Sequence, residues 1–311
     1  MRRAKQIVAA FLLLCALAAA APAQAVTVGL ADQRGASFQD PRLTELPVRH
    51  ARLSVAWDAM LYRWQREEID EWMRGTDAAG MRALVTFQRS RTRPFSLPKP
   101  ATYRRHVARF MRRYPAVREY SPWNEPNLAV QPRNSDPHRI AEYYRMLRRL
   151  CRTCTLLGAD VVDNSRLASW MRAYLRAFRG TRPPQLWGLH NYVDVNSSSS
   201  WGTTTMLRLA PGKLWFTETG AIVARKQPSA GPPDRRRLIR TGRQRAPRAT
   251  RRVFRLAAKS RRIERVYIYH WRAGGVSSWD SALVTEKGTL RPSFKVFARE
   301  ARRGAERVTG P

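Results

Sequence analysis

Two short stretches of the chain carry residue types that can do acid chemistry in partnership. Ser121-Pro122-Trp123-Asn124-Glu125-Pro126-Asn127 sets an amide beside a carboxyl where an apolar run stops, and Pro126 cannot continue a strand. Lys213-Leu214-Trp215-Phe216-Thr217-Glu218-Thr219-Gly220 repeats the plan, a short apolar strand that ends in a lone glutamate and is closed by glycine. Two such carboxyls can divide one reaction between them, one passing a proton and the other attacking or stabilising the reacting centre. That division requires them to meet in space. An eight-stranded α/β barrel, whose strand ends gather on one face, brings residues far apart in sequence to the two sides of one bond.

The remaining sequence predicts such a barrel. Strands are expected at Val26–Leu30, Ala51–Trp57, Ala83–Phe87, Arg118–Trp123, Thr155–Val162, Leu186–Tyr192, Leu214–Thr217 and Arg265–Trp271, from β-rich apolar runs bounded by turn residues. Between them lie helical stripes. Glu67–Ala79 carries Ile69, Trp72 and Met73 and stops at Gly80; Thr102–Tyr114 carries Tyr103, Val107, Phe110 and Met111 and stops at Pro115. Further helices are expected at Pro137–Arg149, Leu167–Phe178, Ala249–Lys259 and Pro292–Arg303, while the connection after the sixth strand is poorly marked. Eight strands alternating with helices, none paired like a hairpin, predict an α/β fold of (β/α)8 TIM-barrel type. An open doubly wound sheet is the competing arrangement, and no glycine-rich phosphate loop follows the first strand to favour it.

In this frame Glu125 closes strand four and Glu218 closes strand seven. Trp123-Asn124-Glu125-Pro126-Asn127 resembles the acid/base motif on the fourth strand of the clan A glycoside hydrolases, the superfamily of cellulase-type and β-xylosidase-type enzymes. Trp215-Phe216-Thr217-Glu218-Thr219-Gly220 resembles their nucleophile motif on the seventh. Arg52 on strand two, His190-Asn191-Tyr192 ending strand six and Trp271 ending strand eight fall where the clan has functional positions. Phe87-Gln88-Arg89 departs from it, since many cellulase-type members place a histidine there. The resemblance implies retaining hydrolysis of a β-linked poly- or oligosaccharide: Glu125 protonates the leaving oxygen, Glu218 forms a glycosyl-enzyme, and water releases it with Glu125 as base. It further implies that Asn124 bonds the sugar 2-hydroxyl, that Arg52 and Tyr192 hold Glu218, that His190 supports the network, and that Trp271 forms the stacking floor. No metal and no cofactor are required. Among loop residues on the same rim, Trp57, Asp58, Gln88, Trp201 and Trp279, Trp201 is the preferred sugar contact because its polar surroundings offer little core to join.

The chain opens like a secretory signal: Arg2, Arg3 and Lys5, an apolar run from Ile7 to Ala21, then Ala23-Gln24-Ala25, which predicts cleavage after Ala25. Cys15 lacks the small residue that a lipoprotein cleavage site wants before it. Residues 26–311 then form one catalytic domain, expected to be exported and monomeric, with no transmembrane anchor. Lys and Arg number 58 against 23 acids, and removal of the leader leaves 55 against 23, a net charge of +32. Such a charge favours anionic partners and could hold the protein at the cell envelope; the preponderance of Arg over Lys favours a plainer reading, an arginine-rich codon usage with the charges on solvated helix faces. The stretch Arg225 to Arg252 holds eleven basic residues and one acid, Asp234, and by the barrel rule emerges on the catalytic face, where it could steer an anionic glycan or simply be solvated. Cys151 and Cys154 suit a structural disulfide; two free thiols are the alternative, and a zinc site lacks further ligands.

Two other readings fit parts of the sequence. A catalytically silent barrel could bind anionic wall polysaccharide through the same cleft, although both glutamates are present. Specific nucleic-acid binding would need aromatics interleaved with the basic residues, and the Arg225 to Arg252 stretch has none before Val253.

Overall fold

A computed structural model describes residues 26–132, 136–226, 238–240, 244–274 and 279–308. The expected leader and much of the basic stretch, including Arg235, Arg236, Arg237 and Arg243, lie outside the described residues. Eight parallel barrel positions are present: β1 (Thr27–Ala31), β2 (His50–Ala56), β3 (Arg82–Gln88), β4 (Glu119–Ser121), β5 in two pieces (Thr155–Leu156 and Asp160–Val162), β6 (Leu186–His190), β7 (Lys213–Thr219) and β8 (Ile263–Tyr269). Each pairs with its sequence neighbour, and β8 returns to β1, with Val28 opposite Val266. The ring closes through β5, whose first piece pairs with β4 and whose second pairs with β6.

The division of β5 corrects the single strand expected over Thr155–Val162. At Gly158 the side-chain position is already filled by Pro184 and Trp187, 2.8 Å from where a Cβ would stand. The backbone there bonds to both flanking strands, Leu157 N–H to the Tyr120 carbonyl and Gly158 N–H to that of Leu186. The second piece then restarts beside the end of β4, where Asn124 and Asp160 form a parallel bridge.

Helices cover the barrel. α1 (Arg63–Ala78) buries Ile69 and Trp72; α2 (Pro100–Arg113) and α3 (Pro137–Leu150) meet through Tyr103 and Tyr143, stacked 3.9 Å apart. α4 (Leu167–Arg176), α5 (Trp201–Leu209), α6 (Ala246–Ala257) and α7 (Pro292–Val308) complete the layer, α5 supplying the helix after β6 that the sequence marked poorly. Gly80, at φ 62°, ends the first of these helical units in a conformation a side chain would resist. Inside the lower barrel, Arg265 lies 3.8 Å over the Trp215 ring and pairs with Glu119 at 2.6 Å across from β4, so this layer is held by charge as well as packing. Cys151 and Cys154 are joined as a disulfide just after α3.

The loops after β7 and β8 are joined in a second, antiparallel sheet. Ala224–Lys226 pairs with Leu238–Arg240 on one side and with Trp279–Asp280 on the other, so part of the stretch read as loop is strand. Among the described residues, no helix is long and apolar enough to cross a membrane.

Candidate active site

The turn after β4 presents Glu125 in an uncommon backbone state. Its φ is 50°, a region that costs a non-glycine residue about 1–3 kcal/mol. Three contacts hold it there. Glu125 N–H donates to the Asp160 carbonyl (2.8 Å), Asn124 N–H to that of Phe87 (2.7 Å), and the Asn127 amide bonds both the N–H (2.9 Å) and the carbonyl (2.7 Å) of Val162. Asn127 thus takes the place of a neighbouring strand where Pro126 ends the real one. Its role in pinning the turn was not apparent from the motif alone.

Arg52, on β2, is the hub of the site. Fully buried, it donates to Glu218 Oε2 (2.8 Å), Asn124 Oδ1 (2.6 Å) and Asp160 Oδ2 (3.0 Å), and its NH2 group faces His190 Nε2 at 3.2 Å. Burial opposes its charge, but the Asp160 and Glu218 carboxylates outweigh that penalty and hold the guanidinium pKa above its ordinary value. Because arginine only donates, these contacts fix their partners. Asn124 must turn its oxygen to Arg52, which leaves its NH2 free as a donor. His190 must present a lone pair at Nε2, so its proton sits on Nδ1 and is given to Glu125 Oε1 at 2.9 Å.

Glu218, near the end of β7, receives a second hydrogen bond, from the Tyr192 hydroxyl to Oε1 at 3.1 Å. Burial first, and the negative charge of Glu218 next, hold the Tyr192 phenol well above its ordinary pKa, so it remains an O–H donor. Glu125, His190 and Glu218 each bring one donor atom to within 4.8 Å of the others. The two carboxyls therefore stand close together, and each is oriented by its own partner. Such a trio has metal-ligand character, but the imidazole lone pair is engaged by Arg52 and its other nitrogen carries a proton.

Both glutamates open onto a cleft of about 680 Å³, whose lining also includes Tyr192, Tyr269, Trp279, Arg225 and Arg245. Trp279 meets Tyr192 edge to face at 4.8 Å. The expected stacking floor is corrected here. Strand β8 ends at Tyr269, two residues earlier than predicted, and Trp271 is 1% exposed, its indole N–H donating to Asp40 Oδ2 (2.9 Å) and its ring packed on Phe294. Tyr269 and Trp279 supply the aromatic surface instead. Trp201 is exposed at the start of α5 but does not line the cleft; Trp57 and Asp58 are buried, and Gln88 lines a separate depression near Arg34.

Besides Tyr269, two buried acids of the site escaped sequence reading. Asp160 is fully buried and accepts from Arg52 and from the Thr86 hydroxyl (2.6 Å), and Gly188 leaves it room, since a Cβ there would stand 1.8 Å from Asp160 Oδ1. Its signal was a lone acid inside an apolar strand. Asp163, under the cleft, accepts the N–H groups of Val193 (3.0 Å) and Asp194 (2.6 Å) and so anchors the short helix Tyr192–Asn196 that carries Tyr192. Burial, which outweighs those hydrogen bonds, pushes its carboxyl up to about 7.

Solved structures with a similar fold include glycoside hydrolases. The chain is similar to a family 39 glycoside hydrolase from Bacteroides cellulosilyticus WH2 (TM-score 0.61, 13% identity, 90% of this chain and 64% of that one). It is also similar to GH5_18 from Streptomyces cattleya in complex with GlcNAc (TM-score 0.60, 13%, 93% and 82%) and to a glucosidase from Croceicoccus marinus (TM-score 0.64, 11%, 88% and 65%). At these identities the likeness speaks for the fold. No family model and no curated protein matches the sequence.

Proposed function

We propose that the protein is an exported retaining glycoside hydrolase that cleaves O-glycosidic bonds of a β-linked poly- or oligosaccharide. The observation that carries this reading is the pair of glutamates at the ends of β4 and β7, with oxygens within 4.8 Å of each other in an open cleft. Retaining glycosidases keep their carboxyls about 5–5.5 Å apart, whereas inverting ones need about 6.5–9.5 Å to admit a water.

The surroundings divide the roles. Glu218 accepts from the Tyr192 hydroxyl on one oxygen and from the Arg52 guanidinium on the other, which aims the carboxylate at one point as a nucleophile must be aimed. Glu125 has one protein partner, the His190 N–H on Oε1, and its other oxygen has none among the described residues. That oxygen can give a proton to the leaving group and later take one from water. Asn124, with its NH2 unused, donates to the 2-hydroxyl of the sugar, a bond that strengthens as the transition state develops. Tyr269 and Trp279 offer ring faces to the pyranose.

Hydrolysis across a panel of neutral and uronate-containing β-glycans, with the Glu125→Ala and Glu218→Ala variants beside the mature protein, tests this directly. Loss of general acid catalysis in Glu125→Ala should lower turnover by about 10²–10⁴-fold, and Glu218→Ala should abolish it. Added azide should restore turnover of activated aryl glycosides by Glu125→Ala and yield a β-configured glycosyl azide. Turnover that survives in Glu218→Ala rules the mechanism out. Binding of glycans without cleavage, equal in all three proteins, would favour a binding barrel.

A further inference from the structure

The cleft contains two cations that the catalytic network does not use. Arg225, in the second sheet, and Arg245, just before α6, both line it and both are exposed. Neither side chain has a hydrogen-bond or ion-pair partner among the described residues. Other arginines nearby are committed: Arg52 to Glu218 and Asp160, and Arg252, about two helical turns beyond Arg245, to the carbonyls of Asp194 and Ser199. Residues 227–237 and 241–243, between Arg225 and Arg245 in sequence, contain only one acid, Asp234, against four arginines.

Position adds to the argument. Arg225 is the direct cross-strand partner of Trp279, so the two side chains share one face of the small sheet, and both line the cleft with Glu125 and Glu218. A cation beside an aromatic surface matches a sugar that offers a ring face and an anionic substituent. The catalytic carboxylates would by themselves repel such a sugar. The guanidinium groups of Arg225 and Arg245 offset that repulsion and offer forked donors of the geometry that carboxylate and sulfate accept.

We propose that Arg225 and Arg245 form an anion subsite, so that the glycan cut between Glu125 and Glu218 carries a carboxylate or sulfate ester on a sugar adjoining the scissile bond. The inference rests on the glycosidase reading for the cleavage, and on the arginine pair alone for the charge preference.

The test uses one β-linked oligosaccharide backbone in three forms: uronate, carboxyl-reduced and O-sulfated. Hydrogen bonds to charged groups are worth enough for a preference of at least about 10-fold in kcat/KM for an anionic form over the neutral one. Arg225→Gln/Arg245→Gln should bring that ratio close to one. Arg248→Gln/Arg251→Gln, which removes the same charge from the exposed side of α6, should leave it intact. Whether the uronate or the sulfated form shows the preference identifies the anion. A ratio near one in the unaltered protein, or an equal fall in both double variants, overturns the subsite. If neutral glycans are cut by the unaltered protein and not by Glu218→Ala while the ratio is near one, only the subsite fails. If nothing is cut, dissociation constants for the three forms decide: an arginine-dependent preference keeps the subsite without the glycosidase, and equal or absent binding removes both.

Discussion

Asp160→Asn tests whether the buried charge under the site is what positions Arg52. The carboxylate is wholly enclosed, 3.0 Å from the guanidinium and 2.6 Å from the Thr86 hydroxyl, and Asn keeps its outline while removing its charge. A hydrogen bond between charged groups contributes about 1.5–3 kcal/mol, and outright loss of a buried partner costs about 3–5 kcal/mol. Arg52 keeps Glu218, so the lower range applies, about 1.5–3 kcal/mol. For a domain of this size that lowers Tm by about 2–5 °C. Arg52 also aims Glu218, and small misplacements of reacting groups cost up to about 100-fold, so kcat should fall by about 10–100-fold with KM little changed. Thermal unfolding and steady-state hydrolysis of an aryl β-glycoside measure the two effects. A double-mutant cycle with Arg52→Met isolates the pair. A Tm within 1 °C or so of the unaltered protein, or no coupling to Arg52, would refute the reasoning.

Gly188→Ala attacks the same carboxylate from outside, because the new methyl would lie 1.8 Å from Asp160 Oδ1 and 2.6 Å from the Thr217 hydroxyl; overpacking of about 1–3 kcal/mol and a matching fall in kcat are expected by denaturant titration and rate assay. Tyr192→Phe removes one donor from Glu218 without emptying the space, and should lower kcat by about 10-fold or more while Tm stays within a few degrees. Asp163 has its folded pKa raised to about 7, above the ordinary 3.8, so its contribution to stability is fully present below about pH 4 and is lost as pH rises through about 7. Urea unfolding of the unaltered protein and Asp163→Asn at pH 5 and pH 8 should therefore show the difference between them shifting in favour of the variant at the higher pH; a difference independent of pH would exclude that titration.

The parts of the molecule that were legible in the sequence are those written in local periodicity. The eight strands and most of the helices follow from apolar stripes and their proline and glycine ends, and the count alone put Glu125 and Glu218 on strands that face one cleft. What stayed hidden depends on contacts distant in sequence. Asp160 makes sense only once Arg52 from β2 and Thr86 from β3 stand beside it. At the break in β5, Pro184 and Trp187 pack where a side chain of residue 158 would stand, and the run Thr155–Val162 contains neither. Trp271 and Tyr269 lie two residues apart at a strand end, and a shift of the strand terminus by that amount decides which aromatic reaches the cleft. Trp279 was named among several loop tryptophans, but what carries it to Tyr192 is antiparallel pairing with a segment more than fifty residues earlier.

That pairing also limits how the specificity of this barrel can be altered. In a barrel whose catalytic-face loops are independent, each can be exchanged for another without disturbing its neighbours. Here the loop after β7 and the loop after β8 share a backbone ladder, and Val223 N–H donates across it to the Asp280 carbonyl (2.8 Å). A transplant of one loop alone would leave the other with unmatched strand edges and shift both Arg225 and Trp279. The two loops form a single exchangeable cassette, and divergence toward new substrates in barrels built this way should proceed by paired changes in both.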